Sequence, residues 1–163
     1  MVVLSVDQIS VVDGTGATLA AAPYTDPDAV LALLSSVEGS TPEPVDNQKF
    51  GVRWEWPELR LTSNHWAFVQ ITGAQIAGLS AQTSQGIHVG STRGELEALD
   101  PHDWAFDDDG DGVSDRFCLE ARHEPGQVSL TDPNVEGITC VGVTLAGDTV
   151  VAISSMSTDW FDV

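Results

Sequence analysis

The chain has 163 residues, of which 42% are hydrophobic, so it can build a real core as one ordinary domain or two small tandem units. Its formal net charge of −19 comes from 25 acidic residues against six basic ones, namely five arginines and Lys49. This charge argues against nucleic acid or anionic lipid as a partner and favours cations and basic proteins. No apolar run approaches the roughly 20 residues of a spanning helix, so we expect no membrane insertion.

The N-terminal segment predicts a hairpin followed by a helix. Apolar stretches at 2–22 flank an Asp-Gly-Thr-Gly turn at 13–16, which indicates antiparallel strands. Residues 25–28, Thr-Asp-Pro-Asp, offer a helix cap and a proline at the first helical position. An apolar stripe with helical spacing follows and stops at Gly39; its members are Val30, Leu31, Leu33, Leu34 and Val37.

A strand meander is predicted next. Apolar and charged residues alternate over 52–56, and apolar runs follow at 59–61 and 66–71, so these segments predict neighbouring antiparallel strands. A turn at residues 73–74, Gly-Ala, leads to another apolar run at 76–79, which predicts a closing hairpin.

The second half repeats this order of elements. A short strand is predicted at 86–90 and a helix at 91–99, where a capping serine or threonine is followed by Glu95 about three positions later. Three further strands are predicted, at 116–122, 137–145 and 149–154.

We therefore predict an α+β fold of two similar helix-plus-antiparallel-sheet units, residues 1–83 and 84–163, that arose by tandem duplication. The closing hairpins of the two halves align when Val69 is set against Val143. Hairpins with a central glycine also coincide by chance. The alternative is a single α+β domain over residues 1–163.

A short segment at residues 90–96 has the sequence Gly-Ser-Thr-Arg-Gly-Glu-Leu and follows a predicted strand. It resembles the Gly-x-Thr-Arg-x-x-Val/Leu opening of the repeats in the secreted β-lactamase inhibitor protein and related small lipoproteins. The resemblance implies tandem helix-plus-sheet units and a binding role. Residues 24–30, which correspond to it in the first half, lack the glycine and the arginine.

The most specific motif is the acidic segment at 107–115, Asp-Asp-Asp-Gly-Asp-Gly-Val-Ser-Asp. It matches Asp-x-Asp-x-Asp-Gly-x-x-Asp and resembles the calcium loops of EF-hand, dockerin and thrombospondin type 3 repeats. A hard divalent cation needs several converging oxygens, and alternate positions of a tightly curled loop point inward together. Gly112 allows the sharp turn. The predicted ligands of a Ca²⁺ ion are the side chains of Asp107, Asp109, Asp111 and Asp115 and the carbonyl oxygen of Val113.

One position of this loop departs from the EF-hand pattern. Cys118 stands where an EF-hand places a bidentate glutamate, so fewer oxygens are available and we expect an extracellular-type affinity of about 10⁻⁴ to 10⁻³ M. The ion would have a structural purpose, which is to order the connection between a helix and a strand. The alternative is a solvated acidic turn whose like charges repel one another.

The two cysteines, Cys118 and Cys140, lie in consecutive predicted strands. Facing residues of antiparallel neighbours come about 5.5 Å apart between Cα atoms, which is close enough for a bridge. The pattern predicts a disulfide, with two buried free thiols as the alternative. Neither a Cys-x-x-Cys pair nor a shared histidine spacing indicates zinc.

Three tryptophans form a candidate binding surface. Trp54 and Trp56 lie two positions apart and so share one face of a predicted strand, and Trp66 begins a neighbouring strand. If exposed, these rings would stack on a sugar or pack against a protein partner. The alternative is that they fill the core.

No sequence motif of a catalytic serine, a metalloprotease, a phosphate loop or a dinucleotide site is present. We predict a monomeric, non-enzymatic binding or scaffold protein, stabilised by a structural Ca²⁺ ion, whose partner is a protein or a cell-envelope component. The alternatives are a small hydrolase that uses paired carboxylates and a structural domain of a larger surface protein.

The composition also bears on the compartment. A bias to Ala, Gly, Val and Asp, with arginine favoured over lysine, resembles that of secreted actinobacterial proteins. We therefore expect a secreted or cell-surface location. The alternative is the cytoplasm of a halophile, where an acidic, lysine-poor surface is a general adaptation.

Overall fold

A computed structural model of the chain describes residues 1–47, 51–128 and 136–159. Strand accounts for 49% of the structure and helix for 12%, so the molecule is mostly β. The helices in the described part are α1 (Pro27–Glu38) and α2 (Arg93–Glu97). The described strands are β1 (Val2–Leu4), β2 (Gln8–Val12), β3 (Thr18–Pro23), β4 (Val45–Asn47), β5 (Gly51–Trp56), β6 (Leu59–Ser63), β7 (Ala67–Ile71), β8 (Gln75–Ile76), β9 (Leu79–Thr83), β10 (His102–Asp103), β11 (Arg116–Val128), β12 (Glu136–Ala146) and β13 (Thr149–Asp159).

The strands form two sheets. The five-stranded sheet has the order β3-β2-β1-β9-β8, and β1 runs antiparallel to β2 but parallel to β9. The eight-stranded sheet has the order β10-β11-β12-β13-β7-β6-β5-β4, with antiparallel neighbours throughout. The pairing of β7 with β13, where Ile71 lies opposite Ile153, joins strands from both halves of the chain in one sheet.

The predicted α+β fold of two helix-plus-sheet units is wrong, because two sheets rather than two helical units organise the chain. The predicted hairpin at 66–79 does not form: β7 pairs with β6 and β13, whereas β8 pairs with β9 in the other sheet. The chain passes from one sheet to the other at residues 72–74. Gly73 permits this crossing, because a side chain there would overlap the carboxylate of Glu58.

The main hydrophobic core is shared across the chain. It contains residues from both sheets and both helices, and the eight-stranded sheet takes strands from both sides of residue 83. The division into residues 1–83 and 84–163 stays a prediction. Fully buried members of the core include Leu4, Leu34, Leu61, Ile71, Leu96 and Ile153.

The first helix forms where the sequence predicts it. The Asp26 carboxylate accepts a hydrogen bond from the Ala29 N–H at 3.1 Å, and Gly39 ends the helix with a φ of +73°. Val30 and Leu34 are buried in the core. Neither this helix nor the other described one is long and apolar enough to cross a membrane.

The second helix is shorter than predicted but has the predicted cap. Thr92 and Glu95 form a reciprocal capping box at its start. The strand predicted at 86–90 is wrong, because hydrogen bonds from the Gly86 N–H to the Thr83 carbonyl and from the Ser91 N–H to the His88 carbonyl turn the backbone there.

Candidate metal centre

The acidic loop, residues 107–115, links β10 to β11 and curls around the side chain of Asp107. Gly110 and Gly112 take φ values of +81° and +87°, a backbone conformation that glycine adopts with least strain. As a result, Oδ1 of Asp107 accepts a hydrogen bond from the Gly110 N–H at 2.6 Å, and Oδ2 accepts one from the Gly112 N–H at 2.8 Å. The glycines therefore have the role that the sequence predicts for Gly112.

These backbone donors also set the charge of Asp107. The hydrogen bond from the Gly112 N–H, followed by those from Gly110 and Asp111, holds the pKa of the Asp107 carboxyl below its ordinary value. The carboxylate is therefore ionised at neutral pH, which is the form that binds a cation.

Three carboxylates converge in the acidic loop. Asp107, Asp109 and Asp115 each bring one oxygen within 4.8 Å of the others, and this group could hold a metal ion. Asp115 is buried and the other two are exposed. Asp111 lies outside this group, and its Oδ1 accepts a hydrogen bond from the Val113 N–H at 2.8 Å. The structure thus brings together three of the four predicted carboxylate ligands.

Asp115 anchors the acidic loop to the sheet. Its N–H donates to the Phe106 carbonyl at 2.6 Å, and its carbonyl accepts from the Leu145 N–H in β12 at 2.8 Å. Its side-chain Oδ2 accepts from the Asp108 N–H at 2.9 Å. The position of this carboxylate is therefore fixed by the main chain on both sides of the loop.

Arg93 of α2 contacts the acidic loop and is absent from the predicted site residues. Its Nη1 donates to the Ser114 carbonyl at 2.7 Å, its Nη2 donates to the Gly147 carbonyl at 2.9 Å, and the same Nη2 lies 3.5 Å from Oδ1 of Asp115. The side chain is 13% exposed. The sequence signals for Arg93 were its place in the Gly-x-Thr-Arg segment and the scarcity of basic residues, since a chain with 25 acids and five arginines is expected to place each guanidinium near a carboxylate.

A second arginine holds the outer side of the acidic loop. Arg116, the first residue of β11, donates from Nε and Nη2 to the two carboxylate oxygens of Asp108, both at 2.7 Å. Its guanidinium also lies 4.9 Å from the centre of the Phe106 ring. The Asp108 carboxylate therefore binds the Arg116 guanidinium and does not belong to the group formed by Asp107, Asp109 and Asp115.

The predicted disulfide between Cys118 and Cys140 is confirmed, with Cα atoms 5.5 Å apart. Cys118 lies opposite Gly142, so its partner Cys140 is two positions further along β12, next to a register shift between Leu119 and Arg122. Both cysteines are buried with Ile138 in a small cluster against Trp104, apart from the main core. The bridge links the strand that follows the acidic loop to its neighbour β12.

The three tryptophans do not share one exposed face. Trp56 is buried and its indole N–H donates to the Ser40 carbonyl at 3.0 Å, whereas Trp54 is partly buried against the core. Trp66 is 46% exposed. A binding role for these residues stays a prediction.

No protein-family model, curated protein or solved structure matches this chain. The resemblances of residues 90–96 and 107–115 to known families therefore stay predictions from the sequence. In the structure, the first of these segments forms the turn, the cap and most of α2, and the second forms the acidic loop.

Proposed function

We propose that this protein is an extracytoplasmic, non-enzymatic binding or scaffold protein whose acidic loop takes up one structural Ca²⁺ ion. The observation that carries the proposal is the convergence of the carboxylates of Asp107, Asp109 and Asp115 directly before a disulfide-linked pair of strands. Calcium prefers such oxygen ligands and tolerates irregular geometry.

The ion would act on the stability of the fold. Like charges within the acidic loop repel one another, and a divalent cation removes that repulsion. Asp111 and the carbonyl oxygen of Val113 stay predicted additional ligands, with water completing the six to eight oxygens that Ca²⁺ takes. Because Asp115 is hydrogen-bonded to β12, ordering the loop would also stabilise the edge of the eight-stranded sheet.

The disulfide supports the proposed location. Disulfides persist in oxidising compartments and are rare in the cytosol. Calcium sites with affinities of about 10⁻⁴ to 10⁻³ M belong to extracellular modules. A weak calcium loop beside a disulfide therefore fits a protein that works outside the cytoplasm.

The experiment is thermal unfolding with millimolar calcium and with EDTA. At about 5 mM, calcium is about 5 to 50 times the expected dissociation constant and adds about 1 to 2 kcal/mol, which raises the midpoint of a chain this size by about 2 to 8 °C. Asp109→Asn should lose most of this shift, and Glu43→Gln, an exposed acid outside the acidic loop, should keep it. Equal midpoints in calcium and EDTA for the unaltered protein would contradict the proposal.

A further inference from the structure

A row of polar side chains crosses strands β5, β6 and β7 of the eight-stranded sheet. The acidic loop lies at the other end of this sheet, between β10 and β11. Glu55 on β5 lies opposite Arg60 on β6, which in turn lies opposite Gln70 on β7. Facing residues on one side of a sheet interact directly, and their chain neighbours point to the other side. The neighbours Trp56 and Leu59 are accordingly buried, so the row lies on the face opposite the core.

Two guanidinium groups share a single carboxylate in this row. Oε1 of Glu55 lies 3.2 Å from Nε of Arg53 and 3.1 Å from Nε of Arg60. Nη1 of Arg60 also donates to Oε1 of Gln70 at 3.4 Å. These ion pairs therefore contain one more positive charge than negative.

The other arginines of the described chain are balanced or outnumbered by acids. Arg93 lies between Asp115 and Asp148. Arg116 pairs with Asp108, and Arg122 pairs with Asp7 and Glu124. Within residues 1–47, 51–128 and 136–159, the Arg53–Glu55–Arg60 group is thus the ion-pair group with excess positive charge, in a chain whose net charge is −19.

A surface pocket of about 250 Å³ opens at this row. Glu55, Arg60, Gln70 and Thr72 form its polar lining, and Trp56, Pro57 and Leu59 form the rest. Arg53 lies outside the lining, so its positive charge acts on the pocket through the shared Glu55 carboxylate. Pockets for drug-sized molecules measure about 300 to 1,000 Å³, so this one suits a single small molecule. The carboxylate of the nearby Glu58 lies against Gly73 and does not line the pocket.

Part of the donor capacity of the polar lining is unused in the described contacts. The Arg60 guanidinium has five N–H groups, and its described contacts with Glu55 and Gln70 use two of them. The Gln70 amide and the Thr72 hydroxyl add further donors. Planar guanidinium donors match the two oxygens of a carboxylate.

We propose that this pocket binds a small carboxylate ligand through Arg60, with Gln70 and Thr72 as additional donors. Glu55 holds the guanidinium in place through its Nε and Gln70 accepts from Nη1, which leaves Nη2 and the second N–H of Nη1 for the ligand. The carboxylate could come from a uronic acid or from an N-acylated amino acid, since both present the same group at this size. The site is independent of the acidic loop and of any calcium bound there.

The test is a titration of the isotope-labelled protein, freed of metal ions beforehand and kept in a buffer without carboxylates, followed by its backbone amide resonances. The probes are galacturonate and N-acetylglycine, each compared with an uncharged counterpart, galacturonate methyl ester and N-acetylglycine amide. We expect at least one carboxylate to shift the amides of residues 55–56, 58–60 and 70–72 to saturation, with at least tenfold weaker binding of its counterpart. The carboxylate that saturates identifies the source.

Matched variants locate the binding group. Arg60→Gln should weaken the carboxylate at least tenfold, and Arg122→Gln, which alters an exposed ion pair elsewhere, should leave it unchanged. Unchanged amide positions outside β5–β7 would show that Arg60→Gln still folds. The proposal is overturned if neither carboxylate gives a saturating shift, if charged and uncharged probes bind alike, or if the folded Arg60→Gln protein binds as the unaltered one does.

Discussion

Arg93 connects three segments of the chain through one guanidinium. Its acceptors are the carbonyls of Ser114 and Gly147 and the carboxylates of Asp115 and Asp148. The side chains of Arg93 and Asp115 are 13% and 5% exposed, so water screens their contact poorly. Removing the arginine would leave a buried carboxylate without its cation.

We expect Arg93→Met to lower the free energy of unfolding by about 3 kcal/mol in EDTA, because breaking one side of a buried ion pair is costly. Arg122→Met is the matched control, since Arg122 and Asp7 are 51% and 68% exposed and such pairs contribute less than about 1 kcal/mol. Urea unfolding of both variants measures the difference. Equal losses of unfolding free energy in the two variants would show that the contacts of Arg93 contribute no more than an exposed ion pair does.

Asp13 gives the hairpin between β2 and β3 a pH-dependent contribution. The Thr15 hydroxyl, then the Thr15 and Ala17 N–H groups, donate to Oδ1 of Asp13 and hold its pKa below the ordinary value of 3.8. A pKa lowered by folding means that the stabilisation is present above 3.8 and is lost as the pH falls through the folded-state pKa.

Asp13→Asn should therefore be less stable than the unaltered protein at neutral pH, and the difference should shrink as the pH falls below 3.8. The measurement is urea unfolding of both proteins over that range, with Glu43→Gln, an exposed acid outside the helices and strands, as the control. A difference that stays constant with pH would rule out the charge of Asp13 as its cause.

Local contacts at the residue scale could be predicted from the sequence, and distant ones could not. Asp26 caps α1 by accepting a hydrogen bond from Ala29, three positions away, so its role follows from the helix pattern alone. Arg93, by contrast, reaches Ser114, 21 positions away, and Glu120 accepts from the Val6 N–H, 114 positions away. Nothing in the local pattern specifies such partners.

At the scale of elements, the disulfide fixes β11 to β12 beside the acidic loop. Cys118 and Cys140 are separated by 22 positions, and closing a loop of that size in the unfolded chain contributes about 3 kcal/mol in the chain-entropy model. Because both side chains are also buried with Ile138, the pair adds packing to this effect.

We expect the double variant Cys118→Ala, Cys140→Ala to lose about 3 kcal/mol of unfolding free energy, measured in urea without reductant. A reducing agent should destabilise the unaltered protein by a similar amount and leave the variant unaffected. A variant as stable as the unaltered protein would contradict a stabilising role for the bridge.

The pairing of strands explains which elements could be predicted. The β5–β6–β7 meander and the β12–β13 hairpin join segments that follow one another in the chain, and the alternation of side chains was sufficient to find them. The contacts of β1 with β9 and of β7 with β13 join distant segments. A turn glycine at residue 73 looks the same in a hairpin as in a crossing between sheets, so the sequence predicted the wrong partner.

Across the whole molecule, Glu120 links the two sheets. It lies at the register shift of β11 with a φ of +55°, and its carboxylate accepts from the Val6 N–H, after β1, and from the Ser84 hydroxyl, after β9. The eight-stranded sheet thus hydrogen-bonds to the end of the five-stranded one. This arrangement depends on the full topology, which explains why the predicted two-unit fold missed it.

The net charge also acts on the molecule as a whole. A net charge of −19 opposes compaction through self-repulsion, and a bound divalent cation reduces it locally. The converging carboxylates of Asp107, Asp109 and Asp115 are where this relief would be largest. Calcium binding at the acidic loop would therefore reduce repulsion between these three carboxylates and, with it, the self-repulsion of the whole chain.

The most direct measurement is a calcium titration followed by the amide resonances of Gly110 and Gly112, whose N–H groups donate to the Asp107 carboxylate. We predict that calcium shifts these resonances to saturation with one ion bound per chain and a dissociation constant of about 10⁻⁴ to 10⁻³ M. These shifts should disappear in Asp109→Asn. Shifts that grow without saturation, and that magnesium reproduces equally, would contradict a calcium site in the acidic loop.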